Sequence, residues 1–448
     1  MNCKNSGEVI SVFLFSIFLI LVCGNVQSRS ITQLHTTDKA AMYIGSASCA
    51  SSTCHGAGEE STKRNVRQNE FNTWYHEDPH SRAFDALKTE RGKRIAQNLG
   101  FKDAASSDTC LSCHSTNVEL SRRGPSFNLS EGISCEGCHG PGSLWLKTHS
   151  ERNYPSDKLK EQGLYQTSSP IKRSKLCLSC HLGDKEQQIT HKIMAAGHPR
   201  LVFELATFTE TQPRHFDVDS DYIARKSPPS PVKIWALGQI QSAIQTVDLI
   251  KDNSGSRDSL FPELAMFDCH TCHHSSKNIR WNKITNDPLT PGQLKLNDSS
   301  LMMTKYLLEV IKPDLARELM KSIRLLHKKT SHGEGELTKI TNRLSSNLHE
   351  AVDLLSVVTL EINSAREILD KLVQAGRKGH LRDVSGAEQA VMSIALITTD
   401  LIERDEKYGT NVELNKLIDQ LYGVLTDENS FRPDRLQEKM RNLRTSLR

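Results

Sequence analysis

The chain has 448 residues, 57 basic and 53 acidic side chains, and a formal net charge of +4. That length suits two or three domains rather than one. With 25% charged and 37% apolar residues and no long Lys or Arg run, neither a disordered chain nor a charge-driven nucleic-acid binder is implied.

Residues 1–28 read as a secretory signal. Lys4 opens it, Val9–Val22 is apolar apart from Ser11 and Ser16, and Val26-Gln27-Ser28 offers small residues for cleavage. The apolar run is 14 residues, short of the roughly 20 that span a bilayer. An uncleaved membrane anchor is the alternative. The expected compartment is the periplasm.

Cys3 and Cys23 leave with that segment, and the other cysteines fall into pairs. These are Cys49/Cys54, Cys110/Cys113, Cys135/Cys138, Cys177/Cys180 and Cys269/Cys272, and each second cysteine is followed at once by histidine: His55, His114, His139, His181 and His273. Four of the five are C-x-x-C-H, the attachment pattern of haem c. The first, with four residues between its cysteines, is a wider variant. The chemistry explains the spacing: two thioethers need two sulfurs that reach one edge of the macrocycle, and the adjacent histidine then lies under the iron. Disulfides or zinc would use the cysteines but leave five consecutive histidine placements unexplained. Five covalently bound haems c, each with its iron, are therefore expected.

The mature cysteines and all four tryptophans lie before residue 282. The expected fold class is mainly α. Residues 29–290 form an irregular multihaem cytochrome c region of short helices and loops, and residues 291–448 an all-α, haem-free helical bundle. The haem region needs little aliphatic core, because each porphyrin brings apolar surface that folding removes from water. Gln212–Pro231 reads as a loop or linker, and Val232–Lys251 has helical apolar spacing. Farther on, Leu337, Ile340, Leu344, Leu348, Val352, Leu355, Ile362, Leu369 and Leu372 give the stripe of one long amphipathic helix. Similar stripes run through Leu301–Lys329, Ala387–Glu406 and Val412–Leu425. The tail histidines His327, His332, His349 and His380 are expected to face solvent rather than bind a metal.

Several strings resemble the multihaem cytochromes c related to the tetrahaem electron carrier of ammonia-oxidising bacteria. They are Tyr43-Ile44-Gly45-Ser46, the element Trp74…Asp78-Pro79-His80-Ser81-Arg82-Ala83-Phe84, and Gly132-Ile133-Ser134-Cys135-Glu136-Gly137-Cys138-His139-Gly140-Pro141-Gly142…His149. The likeness runs from about Tyr43 to His181 and takes in four haem motifs in the same order. It implies that His80 and His149 are distal ligands, His149 to the Cys49/Cys54 haem and His80 to the Cys135/Cys138 haem. It also points to His191 and His198 as ligands, and implies that the second haem, on His114, can lack a distal protein ligand. Candidates for the fifth distal position are His215, His76, His35 and His274. The wider first spacer, the fifth motif and the helical tail depart from that family.

Two functions fit. One is an electron carrier serving redox-protein partners through weak, transient interfaces, with no catalytic residues. The haem propionates bear on its surface: +4 less two carboxylates on each of five haems gives about −6. The other is an oxidoreductase acting on a small nitrogen or sulfur compound at one open haem, with His76 or Arg82 as acid–base help. The helical tail could serve homo-oligomerisation or docking to a membrane quinol dehydrogenase. Nucleic acid is not an expected partner.

Overall fold

A computed structural model of the chain describes residues 40–61, 66–253, 263–273, 289, 293–332, 337–404 and 412–447. The expected signal segment and His35 and His274 lie outside the described residues. The fold is mainly α, and the only β-type pairings among the described residues are isolated bridges, Tyr43 with Arg123 and Phe267 with Leu296.

Up to His198 the helices are short. They include Glu70–His76, Glu90–Leu99, Asp108–His114, Cys135–His139, Pro170–His181 and His191–Ala195. Local chemistry sets their ends. Ser169 caps Pro170–His181 by accepting the Lys172 amide, with Pro170 at the first helical position, where its missing N–H costs nothing. Thr89 caps Glu90–Leu99 in the same way, and Gly100 ends it at φ 77°, a left-handed turn that glycine adopts freely. Apolar contacts here include two small clusters, Phe84, Leu87, Ala96, Ala104 and Leu111 in one, Ile133 and Leu176 in another.

Eight longer helices follow: α1 (Pro231–Asn253), α2 (Ser299–Ile311), α3 (Pro313–His332), α4 (Leu337–Val357), α5 (Ile362–Arg377), α6 (Val384–Arg404), α7 (Val412–Gly423) and α8 (Pro433–Ser446). They share one continuous apolar core that runs from Ala206 to Leu443. In that core α1 lies against α2, α4 and α6 on one side and against Pro170–His181 on the other. The bundle is thus seated directly on a haem-motif helix, and Trp235 of α1 donates to Ser393 Oγ of α6 at 2.7 Å.

Four sequence expectations need correction. The stripe from Leu337 to Leu372 is two helices, α4 and α5, separated at Val358–Glu361; Val357, Val358 and Thr359 are β-branched and propagate a helix poorly. The Leu301–Lys329 stripe is likewise two helices, broken where Lys312 precedes Pro313 and is pushed out of helical conformation by the proline ring. Gln212–Pro231 is not all loop, because Ser220–Lys226 is a helix capped by Asp219. His327 also departs from its expected exposure. It is 3% exposed, and its Nε2 lies 2.8 Å from Asp298 Oδ2. His349 and His380 do face solvent.

Candidate haem-binding site

Each motif is presented by a helical turn or a tight loop. Cys110, Cys113 and His114 close the helix Asp108–His114, Cys135–His139 is itself a helix, and Cys177, Cys180 and His181 end Pro170–His181. Residues three apart on a helix share one face, so both sulfurs point the same way and the next residue turns its ring beside them. Cys269–Thr271 makes one 3₁₀ turn, and the first motif follows the turn Ser46–Ser48. All ten of these cysteines are free thiols.

The ten cysteines differ in exposure. Cys54 and Cys272, the second cysteines of the first and fifth motifs, are exposed, whereas the other eight are partly buried. The reason is local. The four-residue spacer carries Cys54 into an open turn rather than a helix, and Cys272 stands just past the 3₁₀ turn Cys269–Thr271. Among the described residues, neither is held by a helix packed on its neighbours. The compact arrangement belongs to the second, third and fourth motifs.

The five histidines that follow the second cysteines, expected from the sequence to be proximal ligands, each face one further histidine. His55 and His149 have ring centroids 6.2 Å apart, His114 and His198 6.3 Å, His139 and His215 6.2 Å, His80 and His181 6.0 Å, and His191 and His273 6.0 Å. A metal–imidazole nitrogen bond is about 2 Å and the ring centre lies about 1 Å behind that nitrogen, so two rings on one metal sit roughly 6 Å apart. The pairs therefore fit a metal between them. The thiols fit covalent attachment of the macrocycle that would carry it, most fully in the three helical motifs. Among the described residues no set of three or more His, Cys, Asp or Glu side chains gathers as a metal cage. What the described residues offer is pairs of facing rings.

His149 lies where the resemblance implied, opposite His55. His80 does not: it faces His181 of the fourth motif rather than His139 of the third. The ring opposite His139 is His215, one of several candidates in the sequence and set in a stretch read as linker. No spacing rule marks it. The second motif, implied to manage without a distal residue, has His198 opposite His114. His191 faces the fifth motif. His76 is exposed against Tyr75, and Arg82 donates to the His76 carbonyl at 3.0 Å, so neither points between a ring pair.

Second partners fix the rings. Glu70 Oε2 is 3.0 Å from His55 Nδ1, and Asp78 Oδ1 is 2.8 Å from His80 Nδ1. A carboxylate there holds the proton on Nδ1 and leaves Nε2 for a metal. His114 Nδ1 donates to the Ala83 carbonyl at 2.8 Å and His149 Nδ1 to that of Leu146 at 2.6 Å. His139 and His181 are pushed down to about 4, by burial first and by neighbouring histidines second. Both are neutral at physiological pH, the form that ligates a metal.

The motif of the third site also organises the N-terminal segment. Glu136 is 1% exposed and accepts the amides of Ile44, Gly45 and Gly142 at 2.9, 2.8 and 2.7 Å. Burial raises its pKa against the lowering by those amides. Gly132, at φ 68°, lies so close to the His80 carbonyl that a Cβ would stand 2.4 Å from it. Ile133 donates to that carbonyl at 2.9 Å, and Trp74 Nε1 to the Ile133 carbonyl at 3.0 Å.

Sites also touch one another. The Cys49 and Cys135 thiols lie close enough to shift each other's titration, and so do those of Cys113 and Cys180. The first and third attachment edges thus meet, as do the second and fourth.

Against this geometry, residues 48–140 match the family model described as cytochrome c554 and c-prime. Over that segment the chain is similar to this family of c-type cytochromes. The match takes in the first three motifs, and the cofactor it brings is covalently bound haem with its iron, in the service of electron transfer with redox-protein partners. The family resemblance read from the motif strings agrees with it. No curated protein and no solved structure was found to match the chain. No described helix is long and apolar enough to cross a membrane.

Proposed function

We propose that the chain is an exported, periplasmic pentahaem cytochrome c that passes electrons between redox partners, with two histidines on every iron. The observation that carries this reading is the pairing of all five proximal histidines with a second histidine at 6.0–6.3 Å. The cofactor would supply a one-electron ferric–ferrous couple. The chain's own residues hold the rings in place before and after transfer, which keeps reorganisation small. Glu70 and Asp78 do so by fixed hydrogen bonds to ring nitrogens, and the carbonyls of Ala83 and Leu146 do so at two further rings. The paired sulfurs Cys49/Cys135 and Cys113/Cys180 support close approach of neighbouring macrocycles, which an internal electron path needs. We assign residues 29–290 as the haem-bearing region and 291–448 as the helical region that braces it.

An oxidoreductase reading requires one iron with a free axial position, and the ring pairing argues against it. The electron paramagnetic resonance spectrum of the oxidised protein, with haem counted per chain on the same sample, tests the proposal. Five haems, all low-spin, support it. A stoichiometric high-spin signal, or four haems, overturns it.

A further inference from the structure

His198 is oriented from the chain beside it. Its Nδ1 donates to the carbonyl of Pro199, one residue along, at 2.7 Å, so the ring takes its orientation from the backbone of its own segment. That segment leaves the helix His191–Ala195 through Gly197 at φ 117° and has no helical hydrogen bonds from Pro199 to Phe203. It is fastened at two points. On the near side Arg91 donates twice to the Gly197 carbonyl, at 3.1 and 2.9 Å, and Asn98 donates to that of Ala196 at 3.0 Å. On the far side Arg200 reaches into the helical tail. Its two terminal nitrogens bind both oxygens of Glu388 in α6 at 2.8 Å each, and its Nε binds Glu428, between α7 and α8, at 3.1 Å. The Arg200 and Glu388 side chains are only 18% and 15% exposed.

We propose that Arg200, Glu388 and Glu428 form a latch through which the helical tail keeps His198 against His114, so that loosening the latch uncaps the second haem. The inference rests on the six-coordinate reading above. These three are positioning residues, since none touches the ring pair. A planar guanidinium fork on a carboxylate fixes direction as well as distance. With Arg200 two residues beyond His198, a fixed guanidinium fixes the backbone from which the ring hangs. The bundle then does more than support the haem region: it determines whether one iron is closed.

The test uses the full-length, haem-loaded protein. Glu388→Gln keeps the shape of the side chain and removes its charge. It should convert up to one haem per chain to high-spin in the ferric spectrum and allow carbon monoxide to bind up to one ferrous haem per chain. Glu388→Asp should restore much of the low-spin signal. Glu428→Gln, at a more exposed position, should give a smaller high-spin fraction and serves should Glu388→Gln fold poorly. If Glu388→Gln or Glu428→Gln, with wild-type haem content, stays fully low-spin and inert to carbon monoxide, the latch is wrong. If the unmodified protein already shows a high-spin haem, it is the six-coordinate reading that fails.

Discussion

Glu70 Oε2 lies 3.0 Å from Nδ1 of His55, a carboxylate placed on the outer nitrogen of a proximal histidine. The contact raises the pKa of His55, with this hydrogen bond the leading cause, and lowers that of Glu70 despite its burial. A negative partner there pushes electron density toward the metal side of the ring and favours the ferric state. Replacing Glu70 by Gln should raise the midpoint potential of the first haem. About 1 kcal/mol of lost ferric preference corresponds to roughly 40 mV in a one-electron couple, so a rise of tens of millivolts is expected. Spectroelectrochemical titration of the variant against wild type reads it, and a set of midpoint potentials identical in the two proteins would sink the idea.

The mutual angle of the two axial rings controls how far the iron d orbitals that overlap them are split. Near-parallel rings split them well and give a rhombic low-spin spectrum; near-perpendicular rings leave them almost degenerate and give a signal with a large principal g value. His55/His149 and His191/His273 are inclined at 21° and 25°, whereas His114/His198, His80/His181 and His139/His215 are at 79°, 83° and 86°. The oxidised protein should therefore show two rhombic haems and three of the large-g type. Five signals of a single type would contradict the ring orientations.

Asp268 immediately precedes the fifth motif, and its carboxyl is pushed up to about 6, by burial first and by Asp383 second, against the pull of Lys295. Lys295 is bound to Asp298 and Asp383 at 3.0 and 2.6 Å, and Asp298 is bound in turn by His327. A folded pKa above the unfolded one means that the native state holds this proton the more tightly. The contribution to stability is complete below about 4 and is lost as pH rises through about 6. Thermal unfolding of the holoprotein should show a smaller difference between pH 4 and pH 7.5 in Asp268→Asn than in wild type. An identical pH dependence in the two proteins would remove Asp268 from this role.

Glu136 offers the clearest stability test. Truncation to Ala strands the amides of Ile44, Gly45 and Gly142, and an unsatisfied buried amide costs about 1–3 kcal/mol. Glu136→Ala should free the segment around Tyr43 to Cys49 and make it sensitive to protease, while Glu136→Gln, which keeps one acceptor oxygen, should lie between. Equal protease resistance in all three proteins would show that the segment is held by other contacts.

What was legible in the sequence follows from how local each requirement is. Attachment of a macrocycle demands two sulfurs and a ring within one turn, so Cys110, Cys113 and His114 declare themselves. The pattern says nothing of what shelters each sulfur, which is why the exposure of Cys54 and Cys272 could not be read from it. A distal ring has no local constraint either, because only the fold brings it across the iron. His149 lay within a string that the family resemblance covers. His80 lay within one too, yet the structure sets it opposite a different proximal ring, since Gly132 and Ile133 grip its backbone from another segment. The tail was readable as helices from the spacing of its apolar residues, but spacing continues through a break. Pro313 marked one break openly, and the β-branched run at Val357–Thr359 marked the other only weakly. The last helix, Pro433–Ser446, was not read from the sequence. Its stripe is just Leu436, Met440 and Leu443 among charged neighbours.

His215 is the ring that sequence spacing left unmarked, and it carries the most discriminating substitution. It stands edge-on to His139 with centroids 6.2 Å apart, and burial lowers its pKa. If it caps the third haem, His215→Ala should leave five haems per chain and convert one of them to high-spin, with loss of a single large-g signal and the two rhombic signals intact. A water or small anion could fill the vacated position, so imidazole added to the variant should restore the low-spin state. His76→Ala, which removes an exposed ring away from every pair, should leave the spectrum as it was. Were His215→Ala to keep all five haems low-spin without added imidazole, the partner of His139 would have to be sought elsewhere, and the pairing rule on which the electron-carrier reading rests would lose its third site.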